Sequence, residues 1–214
     1  MAANLRLACA QIDPVVGDIG GNADRLRRAR AEAAAEGADA VLAGELTICG
    51  YPPDDLVLKP SFQEACESAV RGLAAETSDG GPALIVGSPW RAAGTLYNAM
   101  LVLARGDVQA VVLKRHLPNY GVFDEKRVFT PGGLPEPVEI AGVPVGLMVC
   151  EDMWYPDVAR HLAERGAKVL LVPNGSPWEQ GKRATRYKHA RARCAETGLA
   201  VVYVNLVGGH DELA

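Results

Sequence analysis

Residues 143–172, VPVGLMVCEDMWYPDVARHLAERGAKVLLV, decide the architecture. Val143 to Val149 is a short apolar run, and Cys150, Glu151 and Asp152 break it. Tyr155 to Arg165 reads as a helix, with Pro156 in its first turn, where a missing N–H costs nothing. Val169 to Val172 is again a short buried strand. Strand, helix and strand in such close order mark a layered α/β unit.

The same alternation extends outward in both directions. Upstream, Pro137 to Ile140 and Val143 to Val149 form a hairpin around Ala141-Gly142. Asn98 to Ala104 and Val108 to Lys114 form another, joined by Arg105-Gly106-Asp107, where glycine permits a tight turn. Leu5 to Ile12, Asp39 to Leu46 and Ala83 to Gly87 are further strands. Asn22 is expected to cap a helix that Gly37 stops, and Ser61 a second one reaching Thr77. Pro52 to Asp55 is a turn that starts a short helical piece. Arg115 to Gly133 has no periodicity and reads as a loop. Downstream, Gly181 to Thr197 is a helix and Leu199 to Val204 a strand. The hairpins make the sheet mixed. No linker, repeat or low-complexity segment interrupts residues 1–214, so a single domain is expected.

Composition limits the function classes. The chain has 214 residues, 49% hydrophobic and 22% charged, enough to bury a core without disulfide or metal staples. That excludes a disordered tail, a collagen-like fibre and a small disulfide scaffold. A net charge of −4 argues against a dedicated nucleic-acid binder. No secretory leader and no bilayer-length apolar run is visible, so a cytoplasmic protein without membrane attachment is expected. Cys9, Cys49, Cys66, Cys150 and Cys194 are odd in number and include no Cys-x-x-Cys pair, which excludes finger and dithiol motifs. His116, His161, His189 and His210 show no metal spacing.

Three apolar strands end in reactive side chains: Glu45 after VLAG, Lys114 after VVL and Cys150 after VGLMV. In open α/β sheets ligands bind beyond the carboxyl ends of strands, where three such residues could meet. A lysine ammonium beside Cys150 would favour the thiolate, while a carboxylate in reach could instead take the thiol proton during attack. Attack on an amide carbon would give a covalent acyl-enzyme, with the lysine stabilising the oxyanion. Taken singly, the cysteine is ordinary packing and the lysine a strand-end cation facing water. Glu45 is flanked by buried residues and needs a partner.

At these residues the sequence resembles the nitrilase, or carbon–nitrogen hydrolase, superfamily. Within it, the chain is similar to the glutaminase domain of glutamine-dependent NAD synthetases. Four segments carry the resemblance: Gly44-Glu45-Leu46 with Gly50-Tyr51-Pro52-Pro53-Asp54-Asp55-Leu56, Lys114 to Arg127 (KRHLPNYGVFDEKR), Cys150 to Asp157 (CEDMWYPD), and Asn174-Gly175-Ser176-Pro177-Trp178. The resemblance implies that Glu45 is the general base, Lys114 the oxyanion-side cation and Cys150 the nucleophile. It implies that Glu125 supports the lysine, and that Tyr120, Ser176 and Lys182 contact the substrate. The implied fold is an αββα sandwich with mixed sheets. The implied reaction is glutamine hydrolysis, its ammonia amidating nicotinic acid adenine dinucleotide in an ATP-dependent synthetase domain. No metal or cofactor is expected here; ATP and magnesium belong to that second domain, whose Ser-Gly-Gly-x-Asp-Ser loop is missing from this sequence. The chain is expected to be a glutaminase domain that lacks its C-terminal strands, ending just past Gly208 to Leu213, and a homo-oligomer is expected to cover the edge this leaves. Two other readings are a stand-alone amidase for another small amide and an inactive fragment serving as an oligomer surface.

Other patterns are set aside. GSPWEQGKR (residues 175–183) has phosphate-loop glycines one residue too far apart and arginine where Ser or Thr should follow the lysine. No Gly-x-Ser-x-Gly elbow exists. His116 could pair with Cys150, but a loop histidine bonded to backbone is the simpler reading. The basic run from Lys182 to Arg193 reads as a solvated helix face partnered by Glu179 and Glu196. Tyr51, Trp90 and Trp154 read as core or pocket-wall aromatics, with ligand stacking open to Trp154 and Trp178.

Overall fold

The structure, a computed structural model, describes residues 4–209. His210 and the stretch that follows it, on which the reading of the C-terminal end drew, lie outside the described residues.

Two mixed sheets lie face to face. The first has strand order β1 (Leu7–Cys9), β2 (Ala40–Leu42), β3 (Ala83–Ala92), β4 (Thr95–Ala104) and β5 (Asp107–Leu113). The second has order β6 (Val138–Ile140), β7 (Val143–Leu147), β8 (Val169–Asn174) and β9 (Ala200–Asn205). β1, β2 and β3 run parallel, as do β7, β8 and β9, while β3–β4, β4–β5 and β6–β7 are antiparallel. α1 (Ile19–Ala35) and α2 (Pro60–Glu76) cover the first sheet, and α4 (Pro156–Glu164) and α5 (Lys182–Thr197) the second. A short helix, α3 (Glu125–Val128), lies in the loop after β5.

The side-chain alternation of strands builds these layers. Leu42, Ile85, Met100 and Val102 of the first sheet meet Val145, Leu147, Leu171 and Val204 of the second in the central layer. Their neighbours Val41, Leu84 and Leu101 point the other way, onto Leu26, Val70 and Leu73 of the helices. Leu170 and Val172 likewise meet Val158 and Leu162 of α4. Strands buried on both faces read as unbroken apolar runs, which is why the sequence showed strands without showing two sheets. The αββα sandwich implied by the family resemblance is the architecture observed.

Several local expectations are corrected. The first two strands are shorter than expected, because the chain beyond Cys9 and Leu42 leaves the ladders. α1 begins earlier, capped by Asp18, whose carboxylate accepts the Gly21 N–H at 3.0 Å. Asn22 is instead buried, bonding Val15 and Ile48 backbone. Ser61 caps nothing; Pro60 opens α2. β3 continues past Gly87 through Pro89. It can, because the paired Asn98 turns its carbonyl to the Lys114 N–H on its other side, so Pro89 needs no donor. A third hairpin follows at Ala93-Gly94. All three tight turns, Ala93-Gly94, Arg105-Gly106 and Ala141-Gly142, place both residues at positive φ, the twist that suits a two-residue hairpin.

β3 also holds up the turn that follows β2. Gly87 lies so close to this turn that a Cβ there would stand 2.2 Å from the Leu46 nitrogen and 2.8 Å from the Glu45 carbonyl carbon. Gly87→Ala is therefore expected to destabilise the protein by about 1–3 kcal/mol, read as a lower urea midpoint.

Candidate active site

Glu45, Lys114 and Cys150 are carried by three different strand ends and converge beneath one surface. Glu45 follows β2 in a turn whose next residue, Leu46, has φ of 48°. Lys114 lies one residue past β5, and its backbone stays pinned between Asn98 and Gly132. Cys150 opens a 3-10 turn after β7 at φ of 47°, a left-handed conformation that a non-glycine residue adopts only when its surroundings impose it.

All three side chains are buried, and Lys114 is wholly enclosed. Its Nζ donates to Glu45 Oε1 at 2.6 Å and to Glu125 Oε1 at 2.7 Å. Glu125 comes from the start of α3. Further donors complete the cluster. Tyr51 Oη donates to Glu125 Oε1 at 2.8 Å, and Asn98 Nδ2 to Glu45 Oε1 at 2.8 Å. The Gly175 N–H, from the end of β8 in the second sheet, donates to Glu45 Oε2 at 3.0 Å.

The charges fix the protonation states. Burial alone would lower the Lys114 ammonium, but the charges of Glu125 and Glu45 outweigh it and hold it well above its ordinary value. Burial pushes Glu125 up to about 7, with Glu45 adding and Lys114 opposing. For Cys150, burial and the Glu45 charge raise the thiol well above its usual range, and Lys114 does not cancel them. Cys150 therefore rests as a thiol. Of the two activation routes open from sequence, a preformed thiolate and a base acting during attack, these charges favour the second.

The remaining expected site residues are placed as follows. Tyr120 Oη donates to Glu151 Oε2 at 2.9 Å, on the turn that Cys150 opens. Phe123 packs against both Tyr120 and Tyr51, and the Lys182 Nζ lies 5.4 Å from its ring. Lys182 also pairs with Glu179 at 3.2 Å. Ser176 directly follows Gly175, whose N–H bonds Glu45. Its Oγ accepts from Arg186 at 3.0 Å and its N–H donates to Asn205. It lines a cavity of about 270 Å³ together with Tyr51, Gly175, Arg186, Asn205 and Leu206. Cys150 is not in that cavity's wall; the cavity adjoins the Glu45 side of the cluster.

Other readings change. His116 donates its backbone N–H to Asp152, but its ring bonds the Asp157 carboxylate at 2.8 Å and stacks on Tyr155, so it is committed away from Cys150. The basic run on α5 pairs with Glu179 and Glu196 as expected, yet Arg193 is buried and donates to the Met153 carbonyl at 3.0 Å. Trp154 packs on His189, and Trp178 is 74% exposed. Tyr51 is core and cavity wall as expected, and its hydroxyl also donates to Glu125. Asn98 was not singled out at all; an amide inside the apolar β4 run was the signal available. Among the described residues, no group of three or more His, Cys, Asp or Glu could hold a metal, and no helix is long and apolar enough to cross a membrane.

Comparison with known proteins follows the same lines. The carbon–nitrogen hydrolase family model matches residues 6–214. A glutamine-dependent NAD(+) synthetase of Rhodobacter capsulatus is 45% identical over 212 residues, covering 99% of this chain and 38% of its own length. One of Xylella fastidiosa is 43% identical, covering 100% and 39%. The solved glutamine-dependent NAD+ synthetase of Acinetobacter baumannii superposes with a TM-score of 0.92 at 33% identity, over 98% of this chain and 39% of that one. A solved amidase of Nesterenkonia sp. AN1 gives 0.85 at 28%, over 99% and 82%. The chain thus spans about two-fifths of the length of the synthetases it matches.

Glu125 supplies a pH test. Its carboxyl is raised from 4.5 to about 7 by folding. The folded state then holds a proton that the unfolded state has lost, so this group's contribution is full below pH 4.5 and disappears as pH rises to about 7. Glu125→Gln should flatten the fall in urea midpoint across that window; Asp152, pushed up to about 6 by burial, keeps part of the slope.

Proposed function

The chain belongs to the carbon–nitrogen hydrolase family, and from that premise we propose that it is a glutamine amidohydrolase whose nucleophile is Cys150. The observation that carries the reading is the buried Lys114 ammonium bridging Glu45 and Glu125 beside the Cys150 thiol.

Glu45 takes the thiol proton as Cys150 Sγ adds to the carboxamide carbon. Lys114 has three N–H donors and commits two of them to Glu45 and Glu125. The third is left for the oxyanion formed beside Cys150. Collapse breaks the carbon–nitrogen bond, and Glu45 returns its proton to the departing ammonia. The thioester that remains is hydrolysed by a water that Glu45 deprotonates, giving glutamate and the free thiol. Glu125 and Asn98 keep Lys114 and Glu45 in register. Tyr120, Ser176 and Lys182 hold the substrate, with Tyr120 aimed by Glu151.

The similarity to glutamine-dependent NAD(+) synthetases supports a use for the ammonia. In this reading it amidates nicotinic acid adenine dinucleotide at a synthetase domain of the same polypeptide, which binds the ATP and magnesium. A second reading, an amidase for another small amide, is favoured by the Nesterenkonia amidase, whose own chain is 82% covered. The 45% identity to the Rhodobacter capsulatus synthetase and the TM-score of 0.92 to the Acinetobacter baumannii one, against 28% and 0.85 for the amidase, favour the first.

Ammonia release from glutamine, asparagine and propionamide separates the two readings; glutamine should be preferred. Cys150→Ala should lower glutamine hydrolysis by at least about 10³-fold, as loss of a nucleophile does, with the fold retained. A glutamine-shaped electrophile should label Cys150 alone, sparing even the exposed Cys9. Activity retained in Cys150→Ala would exclude the mechanism.

A further inference from the structure

We propose that Asp152 is the positioning residue that sets Lys114 against Cys150. The inference rests on the reading of those two residues as partners in one reaction. They belong to different sheets: Lys114 follows β5 of the first, Cys150 follows β7 of the second. No ladder of backbone hydrogen bonds joins β5 to β7. The sheets meet largely through apolar packing, which is non-directional; the Gly175 N–H bond to Glu45 crosses between them but holds neither the Lys114 nor the Cys150 backbone. Chemistry between two groups so mounted needs a directional link between their segments.

Asp152 provides it. One oxygen, Oδ1, accepts the backbone N–H groups of Arg115 at 3.2 Å and His116 at 2.8 Å, the two residues directly after Lys114. The other, Oδ2, accepts the N–H of Val149 at 3.0 Å, the residue directly before Cys150. A single buried carboxylate therefore grips the peptide units flanking both side chains. Asp157 adds an outer grip on the same two residues through their side chains, Arg115 Nε at 2.9 Å and His116 Nε2 at 2.8 Å. That carboxylate is part-exposed, and it holds flexible side chains rather than backbone.

A purely local account would make Asp152 the cap of the Cys150–Trp154 turn, and the bond to Val149 is such a cap. It leaves the other oxygen unexplained, because Arg115 and His116 are 37 and 36 residues away in sequence. A buried carboxylate that meets only local needs would not be spent on a loop of the opposite sheet. Burial alone pushes this carboxyl up, and the His116 and Val149 N–H groups favour its ionised form in opposition.

The test compares Asp152→Ala with the unsubstituted protein in two measurements. Amide hydrogen exchange should accelerate at both ends of the link, at Arg115 and His116 and at Val149. Acceleration at Val149 alone would leave only a local cap and overturn the proposal. With glutamine as substrate, kcat should fall about 10- to 100-fold, the cost of small misplacement of reacting groups, while KM is kept. An unchanged kcat would overturn it, as would a fall in which kcat per folded molecule is preserved. If Asp152→Ala does not fold, Asp152→Asn decides: its single acceptor oxygen can serve only one of the two segments, so kcat must fall with KM kept. Failure of the unsubstituted protein to hydrolyse glutamine would overturn the proposed function instead, and the exchange measurement would still judge Asp152.

Discussion

A lysine ammonium enclosed on every side between two carboxylates is the constraint around which the rest of this molecule is arranged. Taking such charges out of water costs several kcal/mol per ion, and mutual attraction repays this only with good geometry and extra hydrogen bonds. The Lys114 cluster has both. Its contacts to Glu45 and Glu125 are 2.6 and 2.7 Å, and Tyr51, Asn98 and Gly175 supply further donors to the carboxylates. Each donor comes from a different segment. β4 provides Asn98, the turn after β2 provides Tyr51, and the end of β8 provides a backbone N–H. Any displacement of one sheet against the other would leave a carboxylate oxygen short of a donor in a nearly dry site, so the electrostatics penalise the very motion that apolar packing tolerates.

This also explains where the backbone is strained. The chain reverses sharply at the ends of β2 and β7 to aim Glu45 and Cys150 into the gap, and Leu46 and Cys150 take positive φ to do so. Glycines at Gly44, Gly87 and Gly175 allow the close approaches that these turns need. A Cβ on Gly44 would stand 2.4 Å from Leu206, and one on Gly175 2.8 Å from the Tyr51 ring. Packing density and catalytic geometry are thus set by the same few positions.

The legibility of these features in the sequence divides along physical lines. Strand and helix identities were legible because apolar runs and turn residues act locally. Two of the three X-Gly hairpins were read directly; the third was hidden by Pro89, whose tolerance depends on which way Asn98 turns its carbonyl. The two-sheet stacking was not legible in periodicity, because strands buried on both faces carry none; it entered only through the family resemblance. Glu45, Lys114 and Cys150 were legible because each is a charged or reactive residue closing an apolar run. Tyr51, Asn98 and Asp152 were not, because their roles lie in partners far away along the chain. A tyrosine beside Pro52 or an aspartate three residues from a strand end looks ordinary until the opposite sheet is in place.

Enclosure has a chemical consequence as well. A thiol at a solvent-exposed site could be activated by lowering its pKa with a nearby cation. Here burial and Glu45 together raise Cys150 despite Lys114, so a standing thiolate is disfavoured. In the proposed reaction the proton leaves as the new bond forms, to a base already in place. His116 cannot serve, since its ring is bound to Asp157 and stacked on Tyr155. Glu45 is the carboxylate that acts on the thiol most strongly. Three donors hold it in place. In the proposed reaction Lys114 then has a different task from thiolate formation: it offsets the negative charge that passes from Glu45 to the substrate oxygen.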